Sequence, residues 1–372
     1  FRGREDVYPR RFESRSTGKS GYSPVCANEW VTGVCEMPRV KCATCQHRQF
    51  LPVTDDVIHR HLAGAERGGD FVAGVYPMLL DETCYFLAID LDKSSWWDDA
   101  VAVLETSRHM EVPAVLERSR SGNGGHIWIF FETAIPASIA RRLGSHLLTE
   151  TMERRPDIGL DSYDRFFPNQ DTLPQGGFGN LIALPLQKRP RAAGNSVFID
   201  EELDPYDDQW TFLSSIHRMP PAAVDEIVRN AGQTGRIIGV RLASSDDDVE
   251  PWTLPPSRRR TDLNISGELP SRLDLTLSDQ IYISKENVPP ALRNCLIRLA
   301  AFQNPEFYKA QSMRLPTWGK PRIIGCAEDH PRHLALPRGC YEDVRTLLDD
   351  LKIDVSTCDE RVCGEPIDLS FQ

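Results

Sequence analysis

The chain has 372 residues, of which 40% are hydrophobic, and a formal net charge of −11. That is enough apolar material for more than one domain, while no run approaches the roughly 20 apolar residues of a membrane span. The acidic balance excludes indiscriminate nucleic-acid binding over the whole surface but leaves room for a local basic channel.

The first 60 residues carry ten Lys or Arg against seven Asp or Glu. They include Arg2, Arg4, Arg10 and Arg11 but no apolar secretory segment, so the expectation is a soluble, cytoplasmic protein. Cys26, Cys35, Cys42 and Cys45 follow within twenty residues. The Cys42-Ala43-Thr44-Cys45 pair has the spacing at which two thiolates bite one tetrahedral ion, although the preceding pair is more loosely spaced. A structural Zn²⁺ held by these four thiolates is expected over 1–60, with His47 as a substitute ligand and free thiols as the plain alternative. The other six cysteines, Cys358 and Cys363 among them, are scattered and read as ordinary thiols of a reducing compartment.

The run Cys84-Tyr85-Phe86-Leu87-Ala88-Ile89-Asp90-Leu91-Asp92 reads as a buried strand. Alternation puts Leu87, Ile89 and Leu91 on one face and Phe86, Ala88, Asp90 and Asp92 on the other. Two carboxylates roughly 6–7 Å apart on one face repel each other unless a divalent cation joins them. This is the arrangement that a Mg²⁺ or Mn²⁺ site for phosphoryl or nucleotidyl transfer needs. A solvated strand end is the plain alternative.

A helix to about His109, a strand at 113–117, a turn and a strand at 126–131 are expected next. A helix over about 136–155 follows, with the stripe Ile139, Leu143, Leu147 and with Arg141 and Arg142 off it. The order β-α-β-β-α is that of a ferredoxin-like half, which leaves one sheet face open for a polar site. The turn Ser119-Arg120-Ser121-Gly122-Asn123-Gly124-Gly125 lets backbone N–H groups approach a phosphate, and Arg120, Ser121 and His126 can add donors. Asp161 or Asp164 can supply a further carboxylate, and Arg165 is the obvious partner if these acids are merely paired at the surface. A strand at 180–186 and the basic cluster Gln187-Lys188-Arg189-Pro190-Arg191 come after it. The acidic and proline-rich stretch 241–265 reads as a linker. Residues 266–372 read as a C-terminal domain with helices near 289–303 and 341–351.

A strand ending in D-x-D, a glycine-rich turn into histidine and a later aspartate element resemble the archaeo-eukaryotic primase superfamily, the primase-polymerases. The wording at Ser121–His126, Asp164–Gln170 and Gly179–Gln187, with Cys26-Ala27-Asn28-Glu29-Trp30, is similar to the primase domain of TOTE conflict systems. The resemblance covers about residues 1–215. It implies an α+β, ferredoxin/RRM-like catalytic domain over 61–240. Asp90, Asp92 and Asp164 would be its metal-binding acids, with Asp161 open as the alternative to Asp164, and His126 would contact the incoming nucleotide. Gly124 departs from the pattern, since relatives often carry serine two residues before the histidine.

The function expected is a DNA primase or DNA polymerase of the nucleotidyltransferase class, serving DNA replication on a single-stranded or primed template with two Mg²⁺ or Mn²⁺ ions. Arg120, Ser121, His126 and Lys188 would position the nucleoside triphosphate. Such chains usually continue into a superfamily 2 helicase, and Leu299–Tyr308 looks like the region preceding one. No G-x-x-x-x-G-K-[ST] loop occurs in these residues, so ATP-driven unwinding is not expected within them. Two rivals are a zinc-bearing DNA-binding module with a decayed site and a metal-dependent nuclease.

Overall fold

The computed structural model describes residues 1–14, 17–64, 70–238, 240, 265, 268–362 and 364. Apart from residue 265, the linker expected over 241–265 lies outside them, and so does Cys363. Among the described residues no helix is long and apolar enough to cross a membrane.

The chain divides into two compact units. The first comprises 1–151, 157–238 and 305–322, and the second 152–156, 239–304 and 323–372. This differs from the division expected from sequence. Residues 1–60 are part of the first unit, and Pro305–Arg322 returns to it from the C-terminal half.

A five-stranded sheet organises the first unit, in the order Phe166–Phe167, Thr83–Leu91, Gly125–Pro136, Ala114–Arg118, Val197–Ile199, with every neighbour antiparallel. Helix Trp96–His109 connects Thr83–Leu91 to Ala114–Arg118, and Gly125–Pro136 inserts between those two strands. This is a split β-α-β arrangement. Helix Ala137–Arg154 then follows, so the expected strand and helix order is present in a mixed α and β unit.

Sequence alternation decides what each sheet face meets. Phe86, Ala88, Trp128 and Phe198 form one buried cluster with Val75 and Ile182. On the opposite face a Cβ at Gly144 of helix Ala137–Arg154 would come within 2.6 Å of Leu87 and 3.1 Å of Phe166. The helix therefore packs closely enough to require glycine at that point.

Two expected features differ. Only Ile182–Ala183 of the expected 180–186 strand pairs, with Gly74–Val75. Arg141, expected off the apolar stripe, is only 5% exposed. Its guanidinium is bonded to Asp171, whose other oxygen accepts from Gln311 Nε2 at 2.8 Å. A buried charge needs such a partner, and this one comes from a segment distant in sequence.

The Pro305–Arg322 segment begins with helix Pro305–Ser312, which buries Phe307, Ala310 and Gln311. Gln311 Oε1 also accepts the Asp171 N–H at 3.0 Å, and Arg314 is paired with Glu82 at 2.5 Å. Arg322, 1% exposed, donates from Nη2 to the Asn169 carbonyl at 2.5 Å, with its guanidinium 4.2 Å from the Phe307 ring centre.

The second unit is built on a separate five-stranded sheet, in the order Glu328–Asp329, His333–Pro337, Gln280–Ser284, Arg272–Leu277, Asp354–Asp359. Strict alternation in Arg272–Leu277 turns Leu273, Leu275 and Leu277 to one face. There they share a core with Leu292 and Leu296 of helix Pro290–Leu299 and with Val344 and Leu348 of helix Tyr341–Asp350.

Candidate active site

Strand register assembles the site. Asp90 is the cross-strand partner of His126, and His126 is in turn the partner of Glu117. On the other side of Asp90, its backbone N–H donates to the Arg165 carbonyl at 3.0 Å. One transverse row of the sheet thus carries Glu117, His126, Asp90 and Arg165. Cross-strand neighbours on one face have Cβ atoms roughly 4.5–5.5 Å apart, close enough for side chains to act together.

The imidazole of His126 lies between two carboxylates. Its Nδ1 is 3.0 Å from Glu117 Oε2, and its Nε2 is 3.7 Å from Asp90 Oδ1. Burial alone would depress the imidazole, but the charge and hydrogen bond of Glu117, with the charge of Asp90, outweigh it and hold His126 above its ordinary value. Glu117 was not identified from sequence. Its signal there was an acid ending the apolar run Ala114-Val115-Leu116, at a position resembling an ordinary strand end.

Asp92, at the exposed end of the strand, is paired with Arg165. Arg165 also reaches Asp161, with Nη2 3.2 Å from Oδ2, and Lys93 Nζ lies 2.9 Å from Asp161 Oδ1. Arg165 therefore links Asp161 to Asp92. Asp164, preferred from sequence, is held elsewhere. Its two oxygens accept the Arg322 backbone N–H at 2.8 and 3.1 Å. Burial pushes its carboxyl up despite that bond and the Arg322 charge. The contact that claims it comes from residues more than 150 positions away, which local sequence does not reveal.

The glycine turn is shaped by the strand beneath it. A Cβ at Gly124 would lie 2.7 Å from the Leu91 carbonyl oxygen, and one at Gly125 would lie 2.9 Å from the Trp96 ring. This close approach leaves no room for a Cβ at either position unless a neighbour shifts. Ser121 Oγ accepts the Asn123 N–H at 3.2 Å, closing the turn. Arg120 is paired with Asp70 at 2.7 Å. The 187–196 segment borders the turn, because Ser196 N–H donates to the Ser119 carbonyl at 3.4 Å and a Cβ at Gly122 would meet Asn195 at 2.8 Å. Lys188 is exposed at the start of the short helix Lys188–Ala192.

Cys26, Cys35, Cys42 and Cys45 line one cavity together with Met37 and His47. Burial pushes the Cys42 thiol up, and the charges of Cys26, Cys35 and Cys45 push it further. Four sulfur atoms around one cavity are a donor set that a Zn²⁺ ion would suit. The D-x-D group is likewise a set of hard oxygen donors, with the Arg165 guanidinium already placed as a cation between Asp92 and Asp161. As the side chains stand, no three His, Cys, Asp or Glu among the described residues are grouped closely enough to hold an ion. Both donor sets suit such ions in the chemistry of their donors, but neither is closed around an ion as the side chains stand.

No curated protein matches the chain. Residues 1–227 match the family described as the archaeo-eukaryotic primase domain of the TOTE conflict system, a stretch that takes in the cysteine segment and the whole Glu117–His126–Asp90–Arg165 row. The chain belongs to this family of primase-like nucleotidyltransferase domains.

Proposed function

We propose that this protein is a template-directed primase-polymerase that makes or extends nucleic-acid strands on single-stranded DNA. The observation that carries this reading is the alignment of Asp90 and His126 on one row of the sheet, next to Asp92, with Asp161 joined to Asp92 through Arg165. Asp90 and Asp92 would hold the divalent ions, with Asp161 rather than Asp164 as the third acid. When bound, Mg²⁺ or Mn²⁺ supplies positive charge at the attacking hydroxyl and at the leaving pyrophosphate. Everything else that the residues do is alignment.

His126 directs Nε2 toward the triphosphate beside Asp90. Backbone N–H groups of the 119–125 turn approach the phosphates, Ser121 and Lys188 add donors, and Arg120 exchanges Asp70 for phosphate. The split β-α-β sheet supports a ferredoxin/RRM-like description of the catalytic domain, and the match to a conflict-system family supports association with a superfamily 2 helicase, fused or separate. The test is a primed single-stranded template with labelled nucleotides and Mn²⁺. Extension is expected. Degradation would favour the nuclease reading, and binding without synthesis the decayed module.

The four-cysteine segment is proposed to hold a structural zinc. Metal analysis of freshly purified protein should find about one Zn²⁺ per chain, and a strong chelator should remove it with partial loss of structure confined to the first 60 or so residues. Fresh protein free of zinc refutes this assignment.

A further inference from the structure

Glu117 is a carboxylate with its side chain only 3% exposed. A buried acid persists only where its oxygens are used. Here a single oxygen, Oε2, faces both His126 Nδ1 at 3.0 Å and Trp128 Nε1 at 2.9 Å, and Oε1 lies 3.5 Å from Ser196 Oγ. His126 and Trp128 are two apart on one strand and so share a face, which is why one carboxylate from the neighbouring strand reaches both. Their rings meet edge to face at 6.1 Å and 81°. The imidazole is therefore braced by Trp128 on one side and tied at Nδ1 by Glu117, and only Nε2 remains directed toward Asp90. Without that tie the ring is free to turn about its last torsion, which has a broad, roughly two-fold profile.

We infer that Glu117 is the positioning residue of the site, fixing the ring orientation of His126 so that Nε2 alone faces the nucleotide triphosphate. This rests on the nucleotidyl-transfer reading above. A bland role is the rival, in which Glu117 merely satisfies the buried Trp128 indole and leaves His126 indifferent to it.

Two substitutions in the full chain separate reach from charge. Glu117→Gln keeps the length and an acceptor oxygen but loses the charge. Glu117→Asp keeps the charge but withdraws the oxygen by about one C–C bond, roughly 1.5 Å. Each is followed by the His126 and Trp128 ring N–H signals in the NMR spectrum and by KM and kcat for nucleotide incorporation. Glu117→Gln is expected to keep both ring signals, with KM within about threefold of wild type. Glu117→Asp is expected to lose the imidazole N–H signal and to raise the nucleotide KM about tenfold or more, with a smaller change in kcat.

An Asp variant with unchanged KM and an intact His126 signal overturns the inference. So does a Gln variant as impaired in KM as the Asp variant, because charge rather than reach would then be at work. Wild-type protein that incorporates no nucleotide removes the nucleotidyl-transfer reading itself and this inference with it. Wild-type synthesis with an indifferent Asp variant removes only the role of Glu117.

Discussion

Asp90→Asn combined with Asp92→Asn is expected to cut nucleotide incorporation by about a thousandfold or more, with the fold intact. The expected loss is large because asparagine keeps the shape of the carboxylate but neither its charge nor its affinity for a hard cation. The fold should persist because the strand is held by its backbone ladder to Gly125–Pro136, which these side chains do not enter. Asp92 is more than half exposed, so losing its pairing with Arg165 costs little in water. Incorporation of labelled nucleotide on a primed template, read beside a thermal melt, checks both halves. Wild-type rates in the double variant would remove the D-x-D acids from the reaction.

Asp171→Asn is expected to cost about 3 kcal/mol of stability at neutral pH. For a unit of this size that is roughly 6–12 °C in Tm. Asp171 is the partner of the buried Arg141 and the anchor of Gln311 from the returning Pro305–Arg322 segment. Removing its charge leaves the Arg141 guanidinium buried and uncompensated, which costs far more than losing an exposed pair.

The pH dependence gives a second reading of the same change. Burial alone would raise the Asp171 carboxyl, but Arg141, Arg322 and Gln311 outweigh it and hold it below the ordinary value of 3.8. A depressed folded value means stability that is fully present above about pH 3.8 and lost as the pH falls through the folded pKa. The gap between wild type and Asp171→Asn should therefore be constant near neutrality and should narrow below pH 4. Chemical denaturation at a series of pH values measures it, and a gap that does not narrow in acid would locate the effect outside this charge.

Much of the site was legible in the chain because strand geometry is local. The parity of Phe86, Ala88, Asp90 and Asp92 follows from residue spacing alone, and the cluster of Phe86 and Ala88 with Trp128 agrees with it. His126 was legible as a strand residue after a glycine turn. Its register opposite Asp90 was not, because pairing depends on which strand inserts between the two parallel ones. The Asp161 and Asp164 pair shows the limit most clearly. The two acids are three residues apart in one short turn, and what separates them is a backbone N–H from Arg322 that claims one and Arg165 and Lys93 that hold the other.

By itself the sequence determined the alternation of the strands, the D-x-D pair, the glycine turn and the order of elements, all of which depend on neighbours a few residues apart. Only the tertiary structure decided that Glu117 stands behind His126, that Arg141 is buried against Asp171, and that residues 305–322 belong with the first unit. Those contacts join groups from 9 to more than 150 residues apart. The physical reason is that a buried charge takes whichever partner the packed chain brings within reach, and residue spacing carries no record of that choice.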